Sequence, residues 1–280
     1  MEVYMRIRIV ADSSADLLSY DGVEFASAPL RILTDTKEYI DDENLDVMQF
    51  VKEMRDNKGK SSTACPGVGD YISAFDGADW VFVVTISSNL SGSYNSAMVA
   101  KNQYISDYPN KKVYVIDSLS AGPEMAMIVE KLAELINEGK EFEEIANAID
   151  KYKERTKLAF ALKSLLNLAR NGRVSKSVAT VAGIMNIRLV GIASEEGTLQ
   201  PIDKVRGEKK SVLSIIENMK KLGYTNGKVR ITHCNNEEIA KAIKSKIMEF
   251  VPNVDIKISH CRGLCSFYAE DGGTLIGFEV

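Results

Sequence analysis

The first half of the chain alternates short apolar runs with longer stretches in which apolar residues recur at helical spacing. Residues 80–84 (WVFVV) form a continuous run of aromatic and β-branched residues, which is typical of a strand buried on both faces of a parallel sheet. Other strands are predicted at 6–11, within 23–33 and at 112–118. Helices are predicted after Asp46, from the first turn at Pro66 towards Phe75, from Tyr94, over 122–138 and over 141–155. This order predicts an α/β domain with a parallel sheet and helices on both faces.

The second half mixes its elements differently. Strands are predicted over 157–162, 187–193, 229–233, 254–259 and 274–279, and helices over 164–170, 211–222, 236–250 and from a Ser175 cap through Met185. Gly197 marks a turn after which the chain returns at 204–206, which favours an antiparallel pair. We therefore predict an α/β protein of two domains, with a parallel-sheet α/β domain over residues 1–158 and an α+β domain with a mixed sheet over residues 159–280.

A turn rich in hydroxyl groups follows the strand at 80–84. Within nine residues it contains Thr85, Ser87, Ser88, Ser91 and Ser93, and a helical pattern follows. In open α/β sheets such a turn lies at the carboxyl end of a strand, where ligands bind, and the free N–H groups of the next helix favour an anion. A carboxylate or phosphate site is the functional interpretation. The alternative is that these residues only form the turn and cap the helix.

Thr63 is a second candidate for the same site. Pro66 is suited to the first turn of a helix, which places Thr63 just outside that helix's amino end. Its hydroxyl could face the same crevice as Ser91. Alternatively, Thr63 only caps the helix.

Composition and charge exclude several classes of protein. The chain has 280 residues, of which 45% are hydrophobic and 26% charged, and no apolar run is long enough to span a membrane. A formal net charge of -4 argues against nucleic acid as a partner. The amino-terminal segment lacks the features of a signal peptide, which predicts a cytoplasmic location. One basic cluster, formed by Lys204, Arg206, Lys209 and Lys210, is either a docking patch or a solvated helix start.

The four cysteines do not predict a metal site. Cys234 and Cys261 each follow a histidine, and Cys265 lies four residues after Cys261, so ligand types are present. The CxxC pairs typical of structural zinc sites are missing, however. We expect buried thiols without disulfides and predict no metal.

Several segments, taken in chain order, resemble those of the DegV family of bacterial fatty-acid-binding proteins. They are 10–17 (VADSSADL), Thr63 with Pro66, 86–94 (ISSNLSGSY), 116–118 (IDS), 172–175 (GRVS) and 204–206 (KVR). The 86–94 segment is the most specific of them. The resemblance spans most of the chain.

This resemblance implies a protein that holds one long-chain fatty acid, with the carboxylate at the polar turns and the tail in an apolar tunnel. It implies a binding protein without a cofactor rather than an enzyme, which presents the carboxylate to a separate ATP-dependent fatty acid kinase. Carried over from the family's motifs, the expected carboxylate ligands are Thr63, Ser91 and Gly92. Ser93 and Arg173 are possible accessory residues.

The acyl-chain tunnel is expected to draw on apolar residues of the second domain. The candidates are Leu162, Leu165, Leu166, Leu168, Ile184, Met185 and Ile187. Helical spacing predicts ordinary core packing for such residues more often than a ligand channel. Both interpretations stay open at this point.

The chain departs from the family pattern near its carboxyl end. The family usually has a histidine in a His-x-Gly-Pro-Gly turn, and the corresponding residues 268–273 (YAEDGG) contain none. A rival interpretation is the substrate-binding subunit of a dihydroxyacetone-kinase-like enzyme, which would need His233 or His260 near the polar turns. A metal-dependent protein and a serine hydrolase are weaker alternatives, the latter because Ser91 has no GxSxG motif.

Overall fold

The computed structural model describes residues 5–175 and 186–280. The described strands are β1 (Ile7–Asp12), β2 (Glu24–Ala28), β3 (Arg31–Thr34), β4 (Glu38–Ile40), β5 (Ser61–Ala64), β6 (Trp80–Thr85), β7 (Lys112–Asp117), β8 (Thr156–Leu162), β9 (Ile187–Ala193), β10 (Leu199–Arg206), β11 (Val229–His233), β12 (Ile256–His260) and β13 (Thr274–Glu279). The described helices are α1 (Val47–Asp56), α2 (Val68–Phe75), α3 (Ser93–Asp107), α4 (Pro123–Asn137), α5 (Phe142–Glu154), α6 (Leu166–Arg170), α7 (Glu208–Lys221), α8 (Glu237–Met248) and α9 (Gly263–Ala269). A 3-10 turn, Ser13–Ala15, follows β1.

The first sheet consists of β2, β1, β6 and β7 in that order, and all its pairs are parallel. This confirms the predicted parallel α/β arrangement. The extended run predicted over 23–33 is divided at Pro29, since β2 ends before it and β3 belongs to another sheet. β2 is an edge strand, where a neighbouring proline removes no interior hydrogen bond of the sheet.

A separate antiparallel sheet of β4, β3 and β5 was not predicted. The polar residues Ser61 and Ser62 already belong to β5. Thr63 lies opposite Ile32 of β3 in this sheet. Backbone pairing with β3 therefore makes a strand of a segment that has no apolar pattern of its own.

The second large sheet has the order β10, β9, β8, β13, β11, β12. Only the β11–β12 pair is parallel, which confirms the predicted mixed sheet. Most of the helix predicted over 175–185 lies outside the described residues. The predicted division of the chain between residues 158 and 159 stays a prediction, and it falls within β8.

Helix α4 lies between the two large sheets. It contacts β1 and β6 of the first sheet and β8, β11 and β13 of the second. Met125, Ile128 and Leu132 are all 0% exposed, and the burial extends around most of the helix. A helix that is buried on nearly every side belongs in a core, so α4 is the layer that the two sheets share.

One polar contact of α4 is almost as buried as its apolar ones. The guanidinium of Arg230 on β11 donates to both carboxylate oxygens of Glu130, at 2.8 and 2.7 Å. The two side chains are 6% and 8% exposed. Asp255 and Lys257 add further ion pairs at the solvent side of this pair.

We expect Arg230→Leu to lower the free energy of unfolding by about 3–5 kcal/mol, because Glu130 is left as a buried charge without its main partner. The double variant Glu130→Leu with Arg230→Leu should lose much less, since no buried charge remains. Urea denaturation of Arg230→Leu, Glu130→Leu and the double variant measures both effects. As a control, Lys241→Ala removes an exposed pair with Glu237 and should cost about 1 kcal/mol or less. Additive losses in the double variant would contradict this expectation.

Candidate functional site

The turn after β6 is held by a buried carboxylate from the neighbouring strand β1. Asp12 accepts hydrogen bonds from the backbone N–H of Ile86 at 2.8 Å and from the hydroxyl of Ser93 at 2.5 Å. Burial raises the pKa of Asp12, while these donors act in the opposite direction. The end of β1 thus fixes both the beginning of the turn and the first residue of α3.

The hydroxyl of Ser93, a predicted accessory ligand, lies in this buried network. Its oxygen is also 2.7 Å from the hydroxyl of Tyr71, and Ser93 is 0% exposed. Ser93 is not among the described residues that line the cavity discussed below. The structure therefore places the Ser93 side chain in the core, where its hydrogen bonds hold the backbone next to Ser91 and Gly92.

Gly92 lies at the amino end of α3, next to Ser91. Its N–H group donates to no acceptor among the described residues, and Gly92 is not among the described residues that line the cavity discussed below. An added Cβ at Gly92 would lie 3.2 Å from the sulfur of Cys65. The neighbouring Ser91 hydroxyl accepts from the N–H of Ser93 at 3.3 Å and keeps its own proton for a ligand.

Thr63 reaches the site from β5. Its hydroxyl lies 2.7 Å from the hydroxyl of Tyr268, which is carried by α9. Burial raises the pKa of Tyr268, so its hydroxyl stays protonated at neutral pH. Tyr268 occupies the segment in which the expected histidine is missing, and a neutral hydroxyl now stands beside Thr63.

Arg173 connects the turn to the Thr63 side of the site. Its Nε donates to the carbonyl oxygen of Leu90 at 3.1 Å, and another nitrogen donates to the carbonyl of Asn171. The guanidinium carbon lies 6.0 Å from the ring centroid of Tyr268. Arg173 thus brings a fixed positive charge between the two predicted anion-binding segments.

Thr63, Ser91, Arg173 and Tyr268 all line one cavity between the two large sheets. Space not filled by atoms amounts to about 700 Å³ there, part of it open to solvent. The other described residues of its wall are Leu30, Ile86, Leu90, Ala121, Leu158, Phe160, Leu162, Leu168, Leu199, Leu264, Cys265, Ala269 and Leu275. The cavity is therefore apolar apart from one polar group, a combination typical of sites for amphipathic small molecules.

The predicted tunnel residues occupy different positions in the structure. Leu162 and Leu168 line the cavity, whereas Leu165 is 1% exposed and packs in the core beside it. Leu166 is 46% exposed and lines a separate surface cleft. Ile187 begins β9 and is not among the described wall residues. The remaining two candidates, Ile184 and Met185, lie outside the described residues.

Sequence reasoning missed most of the cavity wall, including Tyr268. One signal was available, because residues 158, 160 and 162 are large and apolar at alternate positions of a predicted strand, and so share one face of it. α9 is a seven-residue helix with no clear amphipathic pattern, so its contribution could not be predicted.

The two histidines lie away from this cavity. The rings of His233 and His260 meet edge to face with centroids 4.3 Å apart at the ends of β11 and β12, and neither lines the cavity. A dihydroxyacetone-kinase-like subunit would need a histidine at the polar turns. Within residues 5–175 and 186–280, no group of three or more metal-binding side chains occurs. All four cysteines are free thiols.

Comparison with known proteins now decides the family. A family model described as "Uncharacterised protein, DegV family" matches residues 6–279. This chain belongs to the DegV family. The resemblance noted in the sequence is thereby confirmed.

Similar DegV proteins cover the chain from end to end. A DegV domain-containing protein of Streptococcus pneumoniae is 46% identical, over 99% of this chain and 100% of its own. A crystal structure of a DegV family protein from Eubacterium eligens, loaded with heptadecanoic acid, has a TM-score of 0.96 at 45% identity and covers 98% of this chain and 99% of that one. The Fatty Acid Kinase (Fak) B3 protein of S. pneumoniae, loaded with linoleic acid, has a TM-score of 0.96 at 46% identity and covers 99% and 100%.

No helix in the described part of this DegV chain is both long enough and apolar enough to cross a membrane.

A second buried carboxylate supports α9 and the wall of the cavity. Asp16 accepts from the backbone N–H of Arg262 at 2.7 Å, just before α9, and its other oxygen is buried without a hydrogen-bond partner among the described residues. Burial is the main cause that raises the pKa of Asp16 to about 7, and nearby Asp41 acts in the same direction. Cys265, which lines the cavity, is also close to Asp16.

This raised pKa predicts a dependence of stability on pH. An ordinary aspartate has a pKa near 4 when unfolded, so Asp16 stabilises the fold below about pH 4 and loses that contribution as the pH rises towards 7. Asp16→Asn removes the titration. We expect the variant to gain stability relative to wild type between pH 5 and pH 8, by up to about 4 kcal/mol. Urea denaturation at several pH values measures the difference, and a difference that does not change with pH would contradict the assignment.

Proposed function

We propose that this DegV chain binds one long-chain fatty acid, with the acyl chain in the cavity between the sheets and the carboxylate at its polar group. The observation that carries the proposal is the joining of one small polar group to an otherwise apolar cavity. The fatty acids held by the E. eligens and S. pneumoniae proteins, which resemble this chain over nearly its whole length, support the same ligand class.

In this proposal the carboxylate accepts hydrogen bonds from the hydroxyls of Thr63 and Ser91 and from the N–H of Gly92. Hydrogen bonds to a charged group contribute about 1.5–3 kcal/mol each, so such donors hold an anion effectively. The fixed guanidinium of Arg173 adds charge complementarity on the same side. Tyr268 orients the Thr63 hydroxyl, since the two oxygens are 2.7 Å apart.

The acyl chain supplies most of the affinity. Burial of about fourteen methylenes at ~0.8 kcal/mol each gives an upper bound of about 11 kcal/mol, before the cost of ordering the ligand. The wall that would surround it is mostly aliphatic, with Phe160 as an aromatic member in addition to Tyr268 of the polar group. The acyl chain thus determines the affinity, and the polar group determines which end of the fatty acid faces outward.

We further propose that the protein acts as a carrier rather than as a catalyst. A separate ATP-dependent fatty acid kinase would phosphorylate the carboxylate while the acyl chain stays bound, and we propose that this step takes place in the cytoplasm. The name of the similar S. pneumoniae protein, which refers to a fatty acid kinase, supports a partner of this kind.

Mass spectrometry of the organic extract from freshly purified protein tests the ligand. We expect a long-chain fatty acid at about one equivalent per chain, because a single cavity joins the polar group and the apolar wall. Delipidated protein should take up palmitate again. An empty protein that also fails to bind palmitate would refute the proposal.

Single substitutions test the head-group residues. Thr63→Ala and Ser91→Ala should each weaken palmitate binding by about 10- to 100-fold, because each removes one hydrogen bond to a charged group. Ser62→Ala is a matched control, since it removes an exposed hydroxyl next to Thr63 on β5. Lys209→Ala and Lys210→Ala change exposed charges on α7. If these controls lose as much affinity as the hydroxyl variants, the assignment of the head group is wrong.

A further inference from the structure

We propose that Leu158 sets the longest acyl chain that the cavity accepts, because its side chain closes the end remote from the polar group. This inference rests on the proposed function and adds the residue that limits its range of substrates. The inference follows from the direction of the cavity along β8 and from the surface cleft that lies beyond the Leu158 end of the cavity.

Strand β8 forms one long wall of the cavity. Leu158, Phe160 and Leu162 line it at alternate positions, and therefore from one face of the strand. A strand rises about 3.3 Å per residue, so Leu158 and Leu162 are roughly 13 Å apart along this wall. The wall thus gives the cavity a long axis with two distinct ends.

The polar group belongs to the Leu162 end. Tyr268 precedes Ala269, and an added Cβ at Gly273 would lie 2.7 Å from the Cβ of Ala269. The next residue, Thr274, pairs with Ala161, which is the neighbour of Leu162. Leu168 and Arg173 also follow this end of β8 along the chain and line the cavity. The carboxylate would therefore lie near Leu162 and the tail would run towards Leu158.

Backbone closes most of the Leu158 end. Leu158 pairs with Gly277 of β13, and an added Cβ at Gly277 would lie 2.7 Å from the backbone nitrogen of Glu124. The first turn of α4 therefore passes directly over β13 at this point. The carboxylate of Glu124 accepts from the hydroxyl of Thr156 at 2.7 Å, which ties α4 to the beginning of β8.

A surface cleft lies on the other side of Leu158. Its wall includes Ser118, Glu124, Thr156, Ile192 and Gln200. Among the described residues, Leu158 alone lines both the cavity and this cleft, and it is only 2% exposed. Its side chain is thus the partition between the two spaces, and shortening it joins them.

Leu158→Ala tests this assignment against Leu162→Ala, which shortens the same side chain on the same face at the opposite end of the wall. Binding of saturated acids of about 14 to 24 carbons is measured for both variants and wild type by competition with a fluorescent fatty acid. We expect Leu158→Ala to bind the longest acids at least about tenfold more tightly than wild type, because their ends pass into the cleft. It should bind palmitate several-fold more weakly, because contacts are lost. Leu162→Ala should weaken all lengths without shifting the preferred length.

The milder variant Leu158→Val should shift the length limit in the same direction by a smaller amount, and it keeps the test open if the alanine variant does not fold. An unchanged length limit in both Leu158 variants, with palmitate still bound, would overturn the role of Leu158 and leave the proposed function intact. A wild-type protein that binds no acid of any length would overturn the proposed function, and this inference with it.

Discussion

The burial of α4 against both large sheets is the constraint on which the rest of the structure depends. Because one helix packs on β1 and β6 and also on β8, β11 and β13, the two sheets are held at a fixed separation. Beyond the amino end of α4, the carboxyl ends of the first sheet face the inner surface of the second. The space left there is closed by α9 and by the turn after β6, and it becomes the cavity.

Buried carboxylates position the residues that form the polar group of this cavity. Asp12 accepts hydrogen bonds from the hydroxyl of Ser93 and the N–H of Ile86 and so holds the turn, from which Ser91 lines the cavity. Asp41 accepts from the N–H groups of Gly263 and Leu264 at the amino end of α9. Carboxylates that are costly to bury thus accept hydrogen bonds from backbone N–H groups, and these bonds fix the turn and the helix that carry Ser91 and Tyr268.

The parts of the fold that the sequence predicts well are those whose signal is local. The buried strand at 80–84, the polar turn after it and the alternation of strands and helices all follow from residues close together in the chain. β5 could not be predicted, because its Ser-rich segment becomes a strand only by pairing with β3. The same limit applies to the head-group site. Thr63 and Ser91 were predicted from turns and motifs, but Tyr268 meets Thr63 only through tertiary packing.

The contact between Thr63 and Tyr268 joins residues that are 205 positions apart. β13, which is translated after the twelve other described strands, is also inserted between β8 and β11, in the middle of its sheet rather than at the edge. A nascent chain that lacks this strand has neither the far wall of the cavity nor the α9–β13 connection that positions Tyr268. The cavity can therefore form only after the residues of β13 have been synthesised, and a partly synthesised chain has no complete site for the proposed ligand.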